Sequence, residues 1–296
     1  MEINRNAPAT ATGETQIAAN ARTVLVRVRA AGLHRGDWHV MTGLPYLIRI
    51  VVPTLGLRGP KTPVLGMDLA GTVEAVGANV TRFQPGDEVF GWTDGAFAEY
   101  AIAPAGQLAP KPATLSFEQA AVVPTSGFAA LQGLRDVGGV QAGQQVLIIG
   151  AAGGVGSFAV QLAKAFGAQV TGVASTAQVE LVGSIGADEV IDYTRQDVTD
   201  GTRHWDLILD CAGRRTLSQL RRALTPTGTL VIVGGEGVGG GWAALTATCG
   251  RWRCHGWWAS GCGCWPPSRG RRISKPAGVG RGGKVHPGHR PERSAG

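Results

Sequence analysis

Residues Val146 to Gly156 have the sequence VLIIGAAGGVG and continue as SFAVQLAKAFG to Gly167. An apolar run ends at a cluster of glycines, and a pattern with helical period begins. This order predicts a strand, a tight turn and a helix. Small residues in such a turn let a pyrophosphate approach the backbone, and its charge then lies at a helix N-terminus. The stretch therefore predicts a nucleotide-binding turn.

Strands and helices alternate from this turn to about Glu236. The predicted strands are Gln145–Gly150, Gln169–Ala174, Glu189–Ile191, Asp206–Asp210 and Thr229–Val233, and the predicted helices are Gly154–Phe166, Ala177–Ile185 and Leu217–Leu224. This order is typical of right-handed βαβ connections, so we predict an α/β fold with a doubly wound parallel sheet.

The residues before this sheet follow a different pattern, in which short apolar runs alternate with Gly and Pro. Thr23–Ala30 alternates like a strand, and residues 31–39 form a predicted turn that carries polar groups. Ser116 and Gln119 form a capping box at a predicted helix start, and a second helical pattern spans Pro124 to Val137. The predicted divisions are a loose lead-in at 1–20, a β-barrel-like domain at 21–123, the nucleotide-binding domain at 124–236 and an irregular tail at 237–296.

Positive charge is concentrated in the tail. The chain has a net charge of +7, but residues 237–296 hold ten Lys and Arg and one acid, which leaves the rest at −2. A basic, aromatic tail could bind nucleic acid, but we expect no nucleic-acid partner because the remainder is not basic. Apolar runs of about 18 residues and an apolar leader are both absent, so we expect a cytoplasmic protein without a membrane partner.

Several stretches, in this order, resemble the medium-chain dehydrogenase/reductase superfamily, in particular its zinc-independent, quinone-oxidoreductase-like branch. They are PVLGMDLAGTV from Pro63, GDEVFG from Gly86, FAEY from Phe97, AAGGVG from Ala151 and ALTPTGT from Ala223. The resemblance covers residues 23–236 and implies a GroES-like β-barrel followed by a Rossmann domain. It also implies hydride transfer between NAD(P)H and a small-molecule quinone, enone or related carbonyl, commonly in a homodimer.

The resemblance implies that the cofactor lies on the glycine turn. The matching positions are Thr125, Ala152, Gly153, Gly154, Val155, Gly156, Ser175, Tyr193, Gly213 and Gly234. No acid lies between Gly156 and Val179 to bond a ribose 2′-hydroxyl. Ser175 and Tyr193 match positions that bind the NADP phosphate or ribose in similar enzymes, although Tyr193 could equally be a plain surface residue. We therefore favour NADP(H) over NAD(H).

No zinc is expected. Zinc-dependent relatives carry a cysteine at the position of His34, and Gly-His-Glu where this chain has Gly66, Met67 and Asp68. Methionine is a poor zinc ligand. The tail residues Cys249, Cys254, His255, Cys262 and Cys264 could be imagined as a zinc cluster, but their spacings are irregular.

Without zinc, a developing oxyanion needs hydrogen-bond donors. By resemblance His34 faces the cleft, Asp37 lies in the same turn, and Tyr46 could donate a proton. Each also has a structural alternative, because His34 and Asp37 could serve only as turn residues and Tyr46 as a half-buried aromatic.

The tail has the composition that GC-rich DNA gives in a wrong reading frame, with abundant Gly, Arg, Trp, Ala, Pro and Cys. Residues 244–265 can be translated back into codons that the genetic code permits. When those codons are read two bases out of frame, they encode an amphipathic helical segment. We therefore hypothesise a frame-shifted C-terminus. The alternative function is a non-catalytic, frame-disrupted remnant of such an enzyme.

Overall fold

Two β-sheets form the part of the chain that the structure, a computed structural model, describes: residues 21–42, 64–234 and 254–256. The first sheet contains β1 (Thr23–Gly32), β2 (Asp68–Val76), β3 (Glu88–Trp92), β4 (Tyr100–Pro104) and β5 (Leu108–Pro110). Its order is β4-β1-β2-β3-β5, and all its pairs are antiparallel. Alternate residues such as Val24, Val26 and Val73 pack with Phe83 into one core, because successive side chains of a strand point to opposite faces.

One helix lies between β1 and β2, and two helices connect this sheet with the next one. They are α1 (Arg35–Thr42), α2 (Phe117–Ala121) and α3 (Pro124–Leu131), and α3 continues as a turn of π-helix at Gln132–Val137. Both hydrogen bonds of the capping box between Ser116 and Gln119 are present, as predicted. The prediction of a turn over residues 31–39 is wrong except at residues 33 and 34, because residues 31 and 32 continue β1 and the segment from Arg35 onward is helical. The Asp37 carboxylate accepts the His34 N–H and so satisfies one free donor before the helix.

The second sheet contains β6 (Gln145–Ile149), β7 (Gln169–Ala174), β8 (Glu189–Asp192), β9 (Trp205–Asp210), β10 (Leu224–Ile232) and β11 (Cys254–Gly256). Helices α4 (Gly154–Ala165), α5 (Val179–Ser184) and α6 (Leu217–Arg222) lie between its strands. Every pair is parallel, and the order is β11-β10-β9-β6-β7-β8. This confirms the predicted doubly wound sheet, whose order reverses between β6 and β9.

Both faces of the parallel sheet are buried. Val146 and Ile148 pack on one side with α4, whereas Leu147 and Ile149 pack on the other side with Leu220 of α6. This two-sided burial explains why β6 is a continuous apolar run rather than an alternating one.

One short strand falls in the predicted irregular tail. Residues 254–256 pair with Leu230–Ile232 of β10 and form the sixth strand. The other residues of the tail lie outside the described ranges. Among the described helices, none is long and apolar enough to cross a membrane.

Candidate functional site

A cleft of about 1090 Å³ lies at the carboxyl ends of β6 and β9. Its walls come from the glycine turn after β6, from the loop after β9, from the start of α3 and from α1. Ligands of doubly wound sheets bind where the strand order reverses, which is the position of this cleft.

The glycine turn lines the cleft with the backbone of Gly153 to Gly156. Gly153 precedes α4, and no side chain caps that helix, so the first N–H groups of α4 have neither a helical acceptor nor a side-chain acceptor. A Cβ on Gly156 would lie 2.8 Å from the Ala151 Cα and closer still to the Gly150 carbonyl oxygen. The turn therefore fits a pyrophosphate, and glycine at 156 lets α4 pack closely on β6.

Asp68 joins the first sheet to α3 beneath the cleft. It is the first residue of β2 and only 1% exposed. The Thr125 N–H donates to Asp68 Oδ2 at 3.0 Å, and the Thr125 hydroxyl donates to Oδ1 at 2.6 Å. Burial raises the pKa of the Asp68 carboxyl, although these two hydrogen bonds oppose the shift. Thr125 itself lines the cleft.

His34 lies beside this pair with a defined tautomer. Its Nδ1 accepts the Gly36 N–H at 3.0 Å, so in the neutral ring the hydrogen is on Nε2. Nε2 is 3.6 Å from Asp37 Oδ2. Within the described ranges, the buried atoms His34 Nε2 and Asp37 Oδ1 have no hydrogen-bond partner. An unpaired buried donor is costly, so an oxygen of a bound ligand would stabilise it.

The loop after β9 adds two cations. Asp210 is buried, and its Oδ1 accepts the N–H groups of Ala212 and Gly213, which holds the loop in shape. Burial raises the pKa of Asp210, against the effect of these bonds. Arg214 and Arg215 follow and line the cleft.

The loop after β7 is bound to an acid from the next strand. Thr176 donates its hydroxyl hydrogen to Asp192 at the end of β8, and this bond holds the pKa of Asp192 below its usual range. Asp192 also accepts the N–H and the hydroxyl of Thr194, and Arg195 Nε lies 3.5 Å from it. The carboxylate at the end of β8 is therefore already engaged by the protein's own side chains and backbone.

The structure brings many of the predicted site residues to the cleft. Those that line it are His34, Asp37, Thr125, Gly153, Gly154, Val155, Gly156 and Tyr193. Four others lie elsewhere: Ala152 packs against the core, Ser175 follows β7, Gly213 donates to Asp210, and Gly234 packs against the Cys211 carbonyl. Tyr46 lies outside the described residues. In the described ranges, no three His, Cys, Asp or Glu side chains are grouped to hold a metal ion.

Sequence reasoning missed Asp68, Arg214 and Arg215 as parts of the site. Asp68 and Thr125 are 57 residues apart, so no local signal joins them. The two arginines directly follow Gly213 at the end of a strand, and that position could have indicated them.

Comparison with known proteins agrees with both halves of the fold. Residues 20–113 match the family model "Alcohol dehydrogenase GroES-like domain", and residues 154–247 match "Zinc-binding dehydrogenase". The first match identifies the antiparallel sheet as a GroES-like domain. The second reaches past Gly237, where the composition changes.

Three relatives illustrate the similarity. The mouse (Mus musculus) protein "NAD(P)H oxidoreductase RTN4IP1, mitochondrial" is 37% identical over 210 residues, which are 65% of this chain and 52% of that protein. The crystal structure of an alcohol dehydrogenase superfamily protein from Novosphingobium aromaticivorans is 35% identical, with a TM-score of 0.66 and coverage of 81% of this chain and 69% of that one. Escherichia coli quinone oxidoreductase complexed with NADPH is 29% identical, with a TM-score of 0.65 and coverage of 79% and 72%.

The chain thus spans about half the length of the mouse relative. The mitochondrial name of that relative leaves the cytoplasmic location of this chain a prediction. On the ordered motifs, the two sheets and these matches, the chain belongs to the quinone-oxidoreductase-like branch of the medium-chain dehydrogenase/reductase superfamily.

Proposed function

We propose that this protein is an NADPH-dependent reductase of small quinones, enones or related carbonyl compounds. The observation that carries the proposal is that one cleft contains both the uncapped start of α4 and the polar residues at the start of α1. The first feature suits a pyrophosphate, and the second offers a hydrogen-bond donor to a substrate oxygen.

The backbone N–H groups at Gly154 to Gly156 would hold the pyrophosphate. When bound, the nicotinamide supplies the hydride. The chain itself must place the substrate carbon against the ring and exclude water. Leu33, Trp38, Met41 and Phe97 give the cleft an apolar wall that suits a flat conjugated substrate.

His34 would stabilise the substrate oxygen as negative charge develops there. Its hydrogen is on Nε2 because Gly36 N–H occupies Nδ1, so the ring can donate without first changing its tautomer. Asp37 holds the first turn of α1 by accepting the His34 N–H. No step of this scheme requires a metal, in keeping with methionine at position 67.

The preference for NADPH over NADH rests on charge. Arg214 and Arg215 line the cleft after β9, and their positive charge favours the more anionic NADPH without requiring a contact with its 2′-phosphate. Tyr193 lines the same cleft. The Asp192 carboxylate would favour a ribose hydroxyl, but it is engaged by Thr176, Thr194 and Arg195. The E. coli relative complexed with NADPH supports the same preference.

The test measures NADPH consumption by the purified chain with a panel of quinones and enones, alongside NADH. Saturation at about 100 times Kd should stabilise the fold by about 2.7 kcal/mol. Turnover with at least one acceptor, together with a raised melting temperature in NADPH, is expected. Absence of both turnover and stabilisation would refute the proposal.

A further inference from the structure

The hydrogen bonds of Asp68 determine which way the Thr125 hydroxyl faces. Its two carboxylate oxygens are both used by Thr125, one by the backbone N–H and one by the hydroxyl. A hydroxyl has a single hydrogen and two acceptor lone pairs. With that hydrogen directed at Asp68, the Thr125 oxygen can only accept hydrogen bonds from the cleft.

Thr125 also has a defined place relative to the glycine turn. The next residue, Ser126, packs so closely on α4 that a Cβ on Gly154 would lie 2.9 Å from the Ser126 Oγ. Trp92 of β3 packs on Phe128 of α3 at 5.3 Å between ring centroids, which ties α3 to the first sheet as Asp68 does. Thr125 is thereby held between the glycine turn and His34.

Topology indicates which half of a dinucleotide passes Thr125. Strands β7 and β8 lie on one side of β6, where Tyr193 and the Thr176 loop follow them. An adenosine half extends over those strands in a doubly wound sheet. The other half therefore extends from the glycine turn toward α3, Asp68 and His34.

We infer that Asp68 is a positioning residue that makes Thr125 an obligatory acceptor for an N–H or O–H group of the nicotinamide half of the bound dinucleotide. The inference rests on the proposed cofactor. It goes further by assigning a role to a buried carboxylate that would not itself touch the ligand.

The decisive variant is Asp68→Asn, which keeps the size of the side chain. Because the Thr125 N–H is a fixed donor, the amide oxygen must face it, and the amide NH₂ then faces the Thr125 hydroxyl. The hydroxyl must accept from the amide, and its hydrogen turns toward the cleft. Reversal of one hydrogen bond should weaken NADPH binding about tenfold.

Calorimetric titration would compare NADPH with adenosine 2′,5′-bisphosphate, which lacks the nicotinamide half. Asp68→Asn should weaken NADPH about tenfold and leave the bisphosphate unchanged. The 3-acetylpyridine analogue, which has no carboxamide N–H, separates the two donors of the nicotinamide half. If Asp68→Asn does not weaken binding of this analogue, the donor to Thr125 is the carboxamide. If Asp68→Asn still weakens its binding, the donor is a ribose hydroxyl.

Variants at Thr125 keep the test informative even if Asp68→Asn folds poorly. Thr125→Val should weaken NADPH binding by a similar factor, Thr125→Ser should retain it, and Asp68→Asn combined with Thr125→Val should add little further loss. Equal weakening of NADPH and the bisphosphate, an effect on substrate KM alone, or unchanged NADPH binding would each overturn the inference. Failure of the parent chain to bind NADPH would instead refute the proposed function.

Discussion

Replacement of Gly156 by alanine should destabilise the fold, whereas the same replacement at Gly153 should weaken cofactor binding. At Gly156 the new Cβ would lie 2.8 Å from both the Ala151 Cα and the Gly150 carbonyl carbon. These are backbone atoms, so no side chain can move aside. At Gly153 the nearest atom is the Gly150 oxygen at 3.3 Å, and the backbone has an extended conformation that alanine also adopts.

The two costs differ in size and in kind. Unstrained carbon atoms lie about 3.5–4.0 Å apart, so α4 must move from the turn by roughly 0.7 Å or more in Gly156→Ala. Overpacking of this sort costs about 3 kcal/mol at the upper end, and the better helix propensity of alanine returns about 1 kcal/mol. The expected net loss is about 2 kcal/mol. Gly153→Ala should change stability by less than about 1 kcal/mol, because the gain from a less flexible unfolded chain is opposed by the tight contact of the new Cβ with the Gly150 oxygen.

Urea unfolding followed by tryptophan fluorescence, with parallel NADPH titrations, measures both effects. Gly153→Ala should stay within about 1 kcal/mol of the parent in stability and bind NADPH more weakly, because its methyl group would stand where the pyrophosphate approaches. A Gly153→Ala chain as unstable as Gly156→Ala, or a Gly156→Ala chain of parental stability, would refute the packing argument.

Three further predictions concern the cleft. Gly36→Ala would place a Cβ 2.7 Å from His34 Cε1 and displace the His34 ring. In steady-state kinetics kcat should fall about tenfold or more, while titration should show unchanged NADPH affinity. An unaltered kcat would contradict the role of His34. Arg214→Gln or Arg215→Gln should weaken binding of NADPH more than binding of NADH, with the exposed Arg82→Gln as a charge control. Equal effects on the two cofactors would count against a charge-based preference for NADPH. Burial raises the pKa of Asp68 above 3.8, so the folded chain holds that proton more tightly and stability falls as pH rises through the raised pKa. Asp68→Asn removes this loss, so in urea unfolding its stability relative to the parent should improve as the pH rises above 3.8, and a constant difference would argue against the raised pKa.

The parallel sheet could be predicted because its signals are local. Strands buried on both faces are continuous apolar runs, and β7 has the bounds expected from the sequence. Helix α1 was missed because it is short and largely polar, and Gly36 and Trp38 conceal any helical period. The signal available was Asp37, three residues after His34, which accepts the N–H that precedes the helix.

The polar contacts of the site could not be predicted in the same way. Asp68 meets Thr125 across 57 residues, and Asp192 meets Thr176 across 16. The first contact requires α3 to pack on the first sheet, and the second requires β7 and β8 to be neighbours in the parallel sheet. Sequence motifs therefore indicated the position of the cofactor turn, while the groups that set hydrogen-bond direction and charge became visible only in the folded chain.

The part of the cleft lining that the structure describes lies before the unusual tail. Every described residue that lines it falls between Leu33 and Arg215, and β11 joins the sheet beyond β10, on the side away from β6. A change in the tail therefore acts on the site through the sheet edge, which would expose apolar surface, rather than through loss of a described lining residue. The hypothesis of a frame-disrupted remnant consequently requires a chain of low stability around an intact cofactor site. Cooperative unfolding, with a transition that NADPH shifts to higher temperature, would contradict it.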